Sequence, residues 1–141
     1  MKQAAEAIGL VLVRFNPTAP PIIRDGQRIM RRGVNEPGVA DLLGLAPGGR
    51  FVAIEVKSED GKLRPEQALF LDRVTQYGGL ALVARGIDEI RHLHLVAQGA
   101  GSWWAVKSPF TLPDATRRDY MLAVERKRVE REVARVARRR R

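Results

Sequence analysis

Two periods of apolar spacing divide the chain. Residues 2–8 read as a short helix, and residues 10–15 as a β-branched strand that ends before Asn16-Pro17. The next stretch, 18–37, carries Pro20-Pro21, Asp25-Gly26 and Arg31-Arg32-Gly33, which predicts a loop with one brief strand over 27–31. Apolar runs at 39–45 and 51–57 flank Ala46-Pro47-Gly48-Gly49-Arg50. The turn chemistry of those five residues predicts a hairpin loop and antiparallel pairing of the two runs.

Pro65 suits the first position of a helix, and Ala68, Leu69, Leu71, Val74 and Tyr77 continue it at helical spacing until Gly78-Gly79. Residues 80–84 follow as a buried strand. A strand, a helix and a strand in succession make a right-handed crossover, so 51–57 and 80–84 are expected to lie parallel and adjacent in a mixed sheet. Residues 87–96 form a further helix. Residues 98–113 have no period and read as a linker or a packed loop. From Asp114 a long basic helix is expected, with Tyr120 and Met121 followed by Val124, Val129, Val133 and Val136 at steps of three to five. The fold class is α/β, in the order helix–strand–strand–strand–helix–strand, with a C-terminal basic helix. The division is 1–97 as the main domain, 98–113 as the connection and 114–141 as the helical tail.

Composition narrows the chemistry. At 141 residues, 45% hydrophobic and 29% charged, the chain fits one domain with its own core. The apolar stretch 4–13 is too short to span a membrane and unconvincing as a signal peptide, which leads to the expectation of a soluble, cytoplasmic protein. There is no cysteine, hence no disulfide, thiolate zinc site or cysteine nucleophile, and only two histidines. His92 and His94 lie two apart on a helix, face different directions and read as surface residues. Any metal must then be held mainly by oxygen. Of the net charge of +9, residues 117–141 carry +7, from 11 Lys/Arg against 4 Asp/Glu, which leaves +2 for the body. Such a tail suits a polyanion, against the reading of a solvated helical face that aids solubility. Trp103-Trp104 can stack on a base or pack against the body.

The informative segment is Gly38-Val39-Ala40-Asp41, the hairpin loop, and Ile54-Glu55-Val56-Lys57. A hairpin symmetric about Gly48 pairs 45 with 51, 43 with 53 and 41 with 55. Opposed residues have Cβ atoms about 5 Å apart, so Asp41 and Glu55 repel unless a cation lies between them. Lys57, two residues beyond Glu55, projects from the same face. Two carboxylates and an ammonium suit Mg²⁺ or Mn²⁺ and phosphodiester hydrolysis, which needs no histidine. The same spacing also describes a Glu/Lys ladder on a solvent-facing strand. Arg14, Arg31, Arg32, Lys62 and Arg64 flank the segment, either as phosphate contacts or as ordinary surface charge.

Those two motifs, with Arg64-Pro65-Glu66-Gln67, the helix after it and Gly78-Gly79, resemble the VRR-NUC (virus-type replication-repair nuclease) domain of the restriction-endonuclease-like PD-(D/E)XK superfamily. The resemblance runs over residues 13–84, and Arg14-Phe15-Asn16 resembles the family's first strand. It implies a restriction-endonuclease-like central mixed sheet flanked by helices. It also implies metal-dependent DNA cleavage, with Asp41, Glu55 and the backbone carbonyl of Val56 as metal ligands, Lys57 as the catalytic lysine and Gln67 as a residue that orders the site. Ala40 stands where the superfamily usually has proline, which leaves the carboxylate in place. Related nucleases use an acid of the first helix as a further ligand, and Glu6 is the candidate here, against the reading of a solvated helix residue. Small members of the family resemble Holliday-junction resolvases, which implies a homodimer acting on branched DNA in replication, recombination or repair. Two other readings remain at this point. One is a non-catalytic nucleic-acid-binding module of the same fold. The other is an assembly protein whose tail touches nucleic acid or a partner.

Overall fold

Gly48 and Gly49 have φ of +85° and +82°, so the chain reverses in a left-handed conformation that residues with a Cβ rarely adopt. That reversal fixes the register of the central hairpin. In the computed structural model, which describes residues 1–15, 22–29 and 38–139, β4 (Leu42–Ala46) and β5 (Arg50–Val56) pair antiparallel with Leu45 opposite Phe51 and Leu43 opposite Ala53. β1 (Val11–Arg14) pairs antiparallel with β4 on one side. On the other, β6 (Leu80–Ala84) runs parallel to β5, reached through α2 (Pro65–Gln76). The sheet order is β1-β4-β5-β6, a mixed sheet as the pattern predicts.

Helices cover both faces of the sheet. On one, Leu12, Leu42, Val52, Ile54, Leu80 and Leu82 form the larger core with Ala5 of α1 (Lys2–Ala7) and Ile90 and Leu93 of α3 (Ile87–Gly99). On the other, Ala53 and Ala81 pack beneath Leu71 and Val74 of α2. β5 and β6 are thus buried on both sides, which is why they read as near-continuous apolar runs. Glu55 interrupts the apolar run of β5 while remaining buried.

The C-terminal third is bound to this body through two buried charges. Arg50, at the start of β5, donates to the carbonyls of Gly78 (2.7 Å), Gly79 (3.3 Å), Trp103 (2.6 Å) and Val106 (2.6 Å), and its guanidinium lies 5.7 Å from the ring centroid of Trp104. Asp72 of α2 receives Arg117 of α4 (Asp114–Arg139) at 2.5 Å and the Leu112 N–H at 2.8 Å. Residues 103–112 are therefore packed. No helix among the described residues is long and apolar enough to cross a membrane.

Several boundaries differ from expectation for identifiable reasons. Ala46 pairs with Arg50, so the hairpin loop contains three residues, Pro47-Gly48-Gly49, and not five. β4 starts at Leu42, because Gly38 has φ of +100° and Asp41 lies in a bend. The segment predicted as loop contains a two-stranded ribbon, β2 (Ile22–Arg24) and β3 (Gln27–Ile29). Its turn is Asp25-Gly26, both with positive φ, the two-residue connection whose twist matches antiparallel strands. β3 answers the brief strand expected from residue 27, and residues 30 and 31 of that expectation lie outside the described residues. Helix α1 ends at Ala7, one residue earlier than predicted, and α3 runs to Gly99, three residues further.

Candidate active site

At the end of β5, Glu55 is 1% exposed. The Leu42–Ile54 pair is the last of the β4–β5 ladder, and one step beyond it Asp41 meets the Glu55–Val56 end of the neighbouring strand. Asp41 is fixed from both sides. Its carbonyl accepts the Phe15 N–H at 2.8 Å, and its Oδ2 accepts the Val56 N–H at 2.9 Å. In an extended residue the N–H and C=O point the same way, so the Val56 carbonyl faces the Asp41 side. The Lys57 N–H, one residue on, donates instead to the Ala84 carbonyl of β6 at 3.0 Å.

The Lys57 side chain returns over the same face. Its Nζ lies 2.7 Å from Glu55 Oε1 and 3.0 Å from Gln67 Oε1. Gln67 occupies the third position of α2, where its Oε1 also accepts the Arg64 N–H at 3.1 Å, satisfying one orphan donor of the helix start. Its Nε2 donates to Glu55 Oε1. One amide orientation serves all three contacts: the oxygen takes two N–H donors and the nitrogen meets the carboxylate. A glutamate at 67 would set like charges against each other.

Glu55 Oε2 has a different environment. It is buried and has no hydrogen-bond partner among the described residues. Burial pushes the Glu55 carboxyl above its ordinary value, and the charge of Asp41 adds to this against the opposing hydrogen bond from Lys57. An unpaired carboxylate oxygen beside a second carboxylate and a backbone carbonyl is a donor set that fits a hard divalent cation. No group of three or more His, Asp or Glu side chains that could hold an ion occurs among the described residues, so any such ion must complete its shell with the carbonyl, water or substrate.

The remaining candidates are distributed unevenly. Glu6 does not join the pair; it is exposed on α1 and lies 3.6 Å from Lys2, one turn away. Arg14 is exposed opposite Leu42 and shares the parity of buried Leu12, so it projects on the α1 side, away from the face of Glu55 and Lys57. Lys62 and Arg64 are exposed in the segment entering α2, next to Gln67. Arg31 and Arg32 lie outside the described residues. His92 lines an apolar hollow of about 710 Å³ with Leu82, Val96 and Val106, on the α3 side of the sheet. Trp103 packs against the larger core, and Trp104 donates from Nε1 to the Gly48 carbonyl at 3.1 Å.

Sequence reasoning gives Glu66 no part. Its side chain is 13% exposed and reaches Lys127 of α4 at 3.7 Å, while its backbone and Cβ lie so close to Gly38 that any side chain there would collide. Glu66 thus joins three segments at the start of α2, directly before Gln67. No local signal reveals a contact across 61 positions.

The VRR-NUC domain family matches residues 21–88, a span that includes Asp41, Glu55, Val56, Lys57 and Gln67. No significant match to a curated protein or to a solved structure was found.

Proposed function

We propose, from the premise that the chain carries a VRR-NUC domain over residues 21–88 and with it a nuclease-type function in DNA processing, that this protein is a Mg²⁺- or Mn²⁺-dependent endonuclease hydrolysing DNA phosphodiester bonds. The observation that supports this most is Glu55 Oε2. A buried carboxylate oxygen without a partner costs about 1–3 kcal/mol or more, a cost that a purely structural Glu55–Lys57 pair gives no reason to retain. Asp41, Glu55 and the Val56 carbonyl would hold the ion, which when bound supplies charge neutralisation and Lewis-acid activation of the phosphodiester.

The chain's own groups supply the rest. Lys57 presents an ammonium beside the carboxylates, where it can donate to the attacking water or to a phosphoryl oxygen as negative charge grows. Gln67 holds Lys57 and Glu55 in one arrangement and ties both to the start of α2, so that little reorganisation is needed on reaction. Lys62 and Arg64 stand where phosphates flanking the cut would pass.

The finer reading is a homodimer selective for branched DNA, in which two such sites address two strands. The test incubates purified protein with Mg²⁺, Mn²⁺, Ca²⁺ or EDTA on linear, nicked, flapped and four-way DNA, and measures its size in solution. Cleavage with Mg²⁺ or Mn²⁺ that EDTA abolishes is expected, greatest on four-way DNA and from a dimer. Wild-type protein that binds DNA and cuts none of these would make it a binding module.

A further inference from the structure

Helix α4 is held antiparallel to α2 at two points. Arg117 meets Asp72 near the C-terminal end of α2, and Lys127, ten residues later, meets Glu66 at its N-terminal end. Continuing in that direction, α4 passes the first turn of α2, where Gln67 sits, and every residue from 125 to 138 is exposed. The helix therefore extends beyond the body at the end that holds Asp41, Glu55 and Lys57. From Lys127 to Arg138 the axial rise is about 16 Å.

The charges on that extension are sorted by face. At about 100° per residue, Lys127, Arg131 and Arg138 fall on one line, with Arg128 and Arg135 on its flank. The Glu66 contact fixes the direction of this line toward the body. Val129, Val133 and Val136 fall on the opposite side, together with Arg126. The acids Glu125 and Glu132 fall toward the valine side and pair with Arg128 at 3.9 Å and Arg135 at 2.6 Å, and Glu130, about 60° from Lys127, borders the line without lying on it. A helix made basic only for solubility has no reason to place its cations on the side nearest the site.

We propose that this face of α4 is a duplex-binding arm, holding the DNA to one side of the cleavage position through its phosphates. The proposal rests on the nuclease reading for the identity of the polyanion. At about 3.4 Å per base pair, a 16 Å line spans roughly five base pairs, so the arm fixes register and orientation and carries no sequence information.

The test compares two double variants that remove the same charge from opposite faces. Arg131→Gln/Arg138→Gln alters the line, and Arg118→Gln/Arg126→Gln alters the other side; glutamine preserves helix propensity in both. Affinity for a linear duplex is measured against salt in EDTA, so that neither metal nor turnover enters, with circular dichroism to check helicity. The first pair is expected to weaken binding about tenfold and to lower the slope of log K against log[salt] by about 1.8, at roughly 0.9 for each phosphate no longer neutralised. The second pair is expected to change affinity less than about twofold. Equal losses from both pairs, or no loss from the first, would overturn the proposal, as would binding of anionic phosphatidylglycerol vesicles, and not DNA, through the first face. Wild-type cleavage with Mg²⁺, measured separately, reports on the nuclease reading, so the two can fail independently.

Discussion

Two buried carboxylates, Asp72 within helix α2 and Glu55 on β5, each accept a cationic side chain. They differ in how completely they are satisfied. Asp72, 2% exposed, takes Arg117 on both oxygens, the Leu112 N–H on Oδ1 and Gln76 on Oδ2. Burial alone would raise its carboxyl, but the hydrogen bonds from Arg117 and Leu112 outweigh it, and the group sits below its ordinary value. Glu55 crowds Lys57 and Gln67 onto one oxygen, leaves the other without a partner and is pushed up. A carboxylate with every lone pair answered is a fastener. One half-answered beside another acid is suited to receive a cation.

Mutating both sites gives the sharpest contrast. Asp41→Ala and Glu55→Ala are expected to reduce cleavage by on the order of 10³-fold or more while the protein stays folded, as judged by circular dichroism and thermal melting. Near wild-type cleavage by either would remove the metal assignment. Lys57→Ala should lower turnover by about 10²–10³-fold with little change in DNA affinity. If affinity falls in step with rate, Lys57 is a phosphate contact and no more.

Asp72→Ala is expected to act on the other side of the comparison. It strands the Leu112 N–H and unfastens α4, at a cost of about 2–4 kcal/mol in denaturant unfolding. Cleavage by the fraction still folded should survive at saturating DNA, since the attachment of α4 bears on affinity and not on the reacting groups. Loss of activity without loss of stability would mean that α4 does more at the site than the fastener reading allows.

The smallest effect separates the two groups by sign. Because the folded-state value of Glu55 is raised, the metal-free fold binds its proton more tightly than the unfolded chain does. Its contribution therefore declines as pH rises from the ordinary carboxylate value through the raised one. Asp72, lowered, behaves oppositely: its contribution is complete above the ordinary value and is lost as pH falls through the folded one. Mn²⁺ at about a hundred times its dissociation constant should add about 2.7 kcal/mol above the Glu55 window, and nothing in Glu55→Gln. A melting temperature indifferent to Mn²⁺ at pH 7 to 8 in the wild type would contradict this.

How much of this is readable without coordinates follows from the range of each interaction. The hairpin register comes from one turn, since antiparallel partners share a constant sum, and the facing of Asp41 and Glu55 follows from it. The parallel β5–β6 pair follows from the helix between them. Arg14, a candidate by sequence, is set off the site face only by the structure, where it shares the parity of buried Leu12. The brief strand expected from residue 27 is β3, but its partner β2 escapes the pattern because Asp25-Gly26 punctuates a loop as readily as it makes a two-residue hairpin turn. Glu6 rests on the resemblance alone, and α1 faces it elsewhere. Glu66–Lys127, Asp72–Arg117 and the four carbonyls around Arg50 join residues 28 to 61 positions apart, with nothing local to announce them.

Arg50 also bears on where the chain can be cut. It lies inside the span shared with the VRR-NUC family, yet two of its four carbonyl acceptors belong to Trp103 and Val106, outside that span. Asp72 is in the same position, with Leu112 and Arg117 beyond the boundary. The smallest autonomous unit is therefore longer than the stretch that the family match covers. A fragment ending at residue 88 would keep all the proposed ligands and lose the groups that neutralise or solvate two charges in its interior. One extending past Arg117 would keep both sets, and with them the footing on which the projecting end of α4 stands.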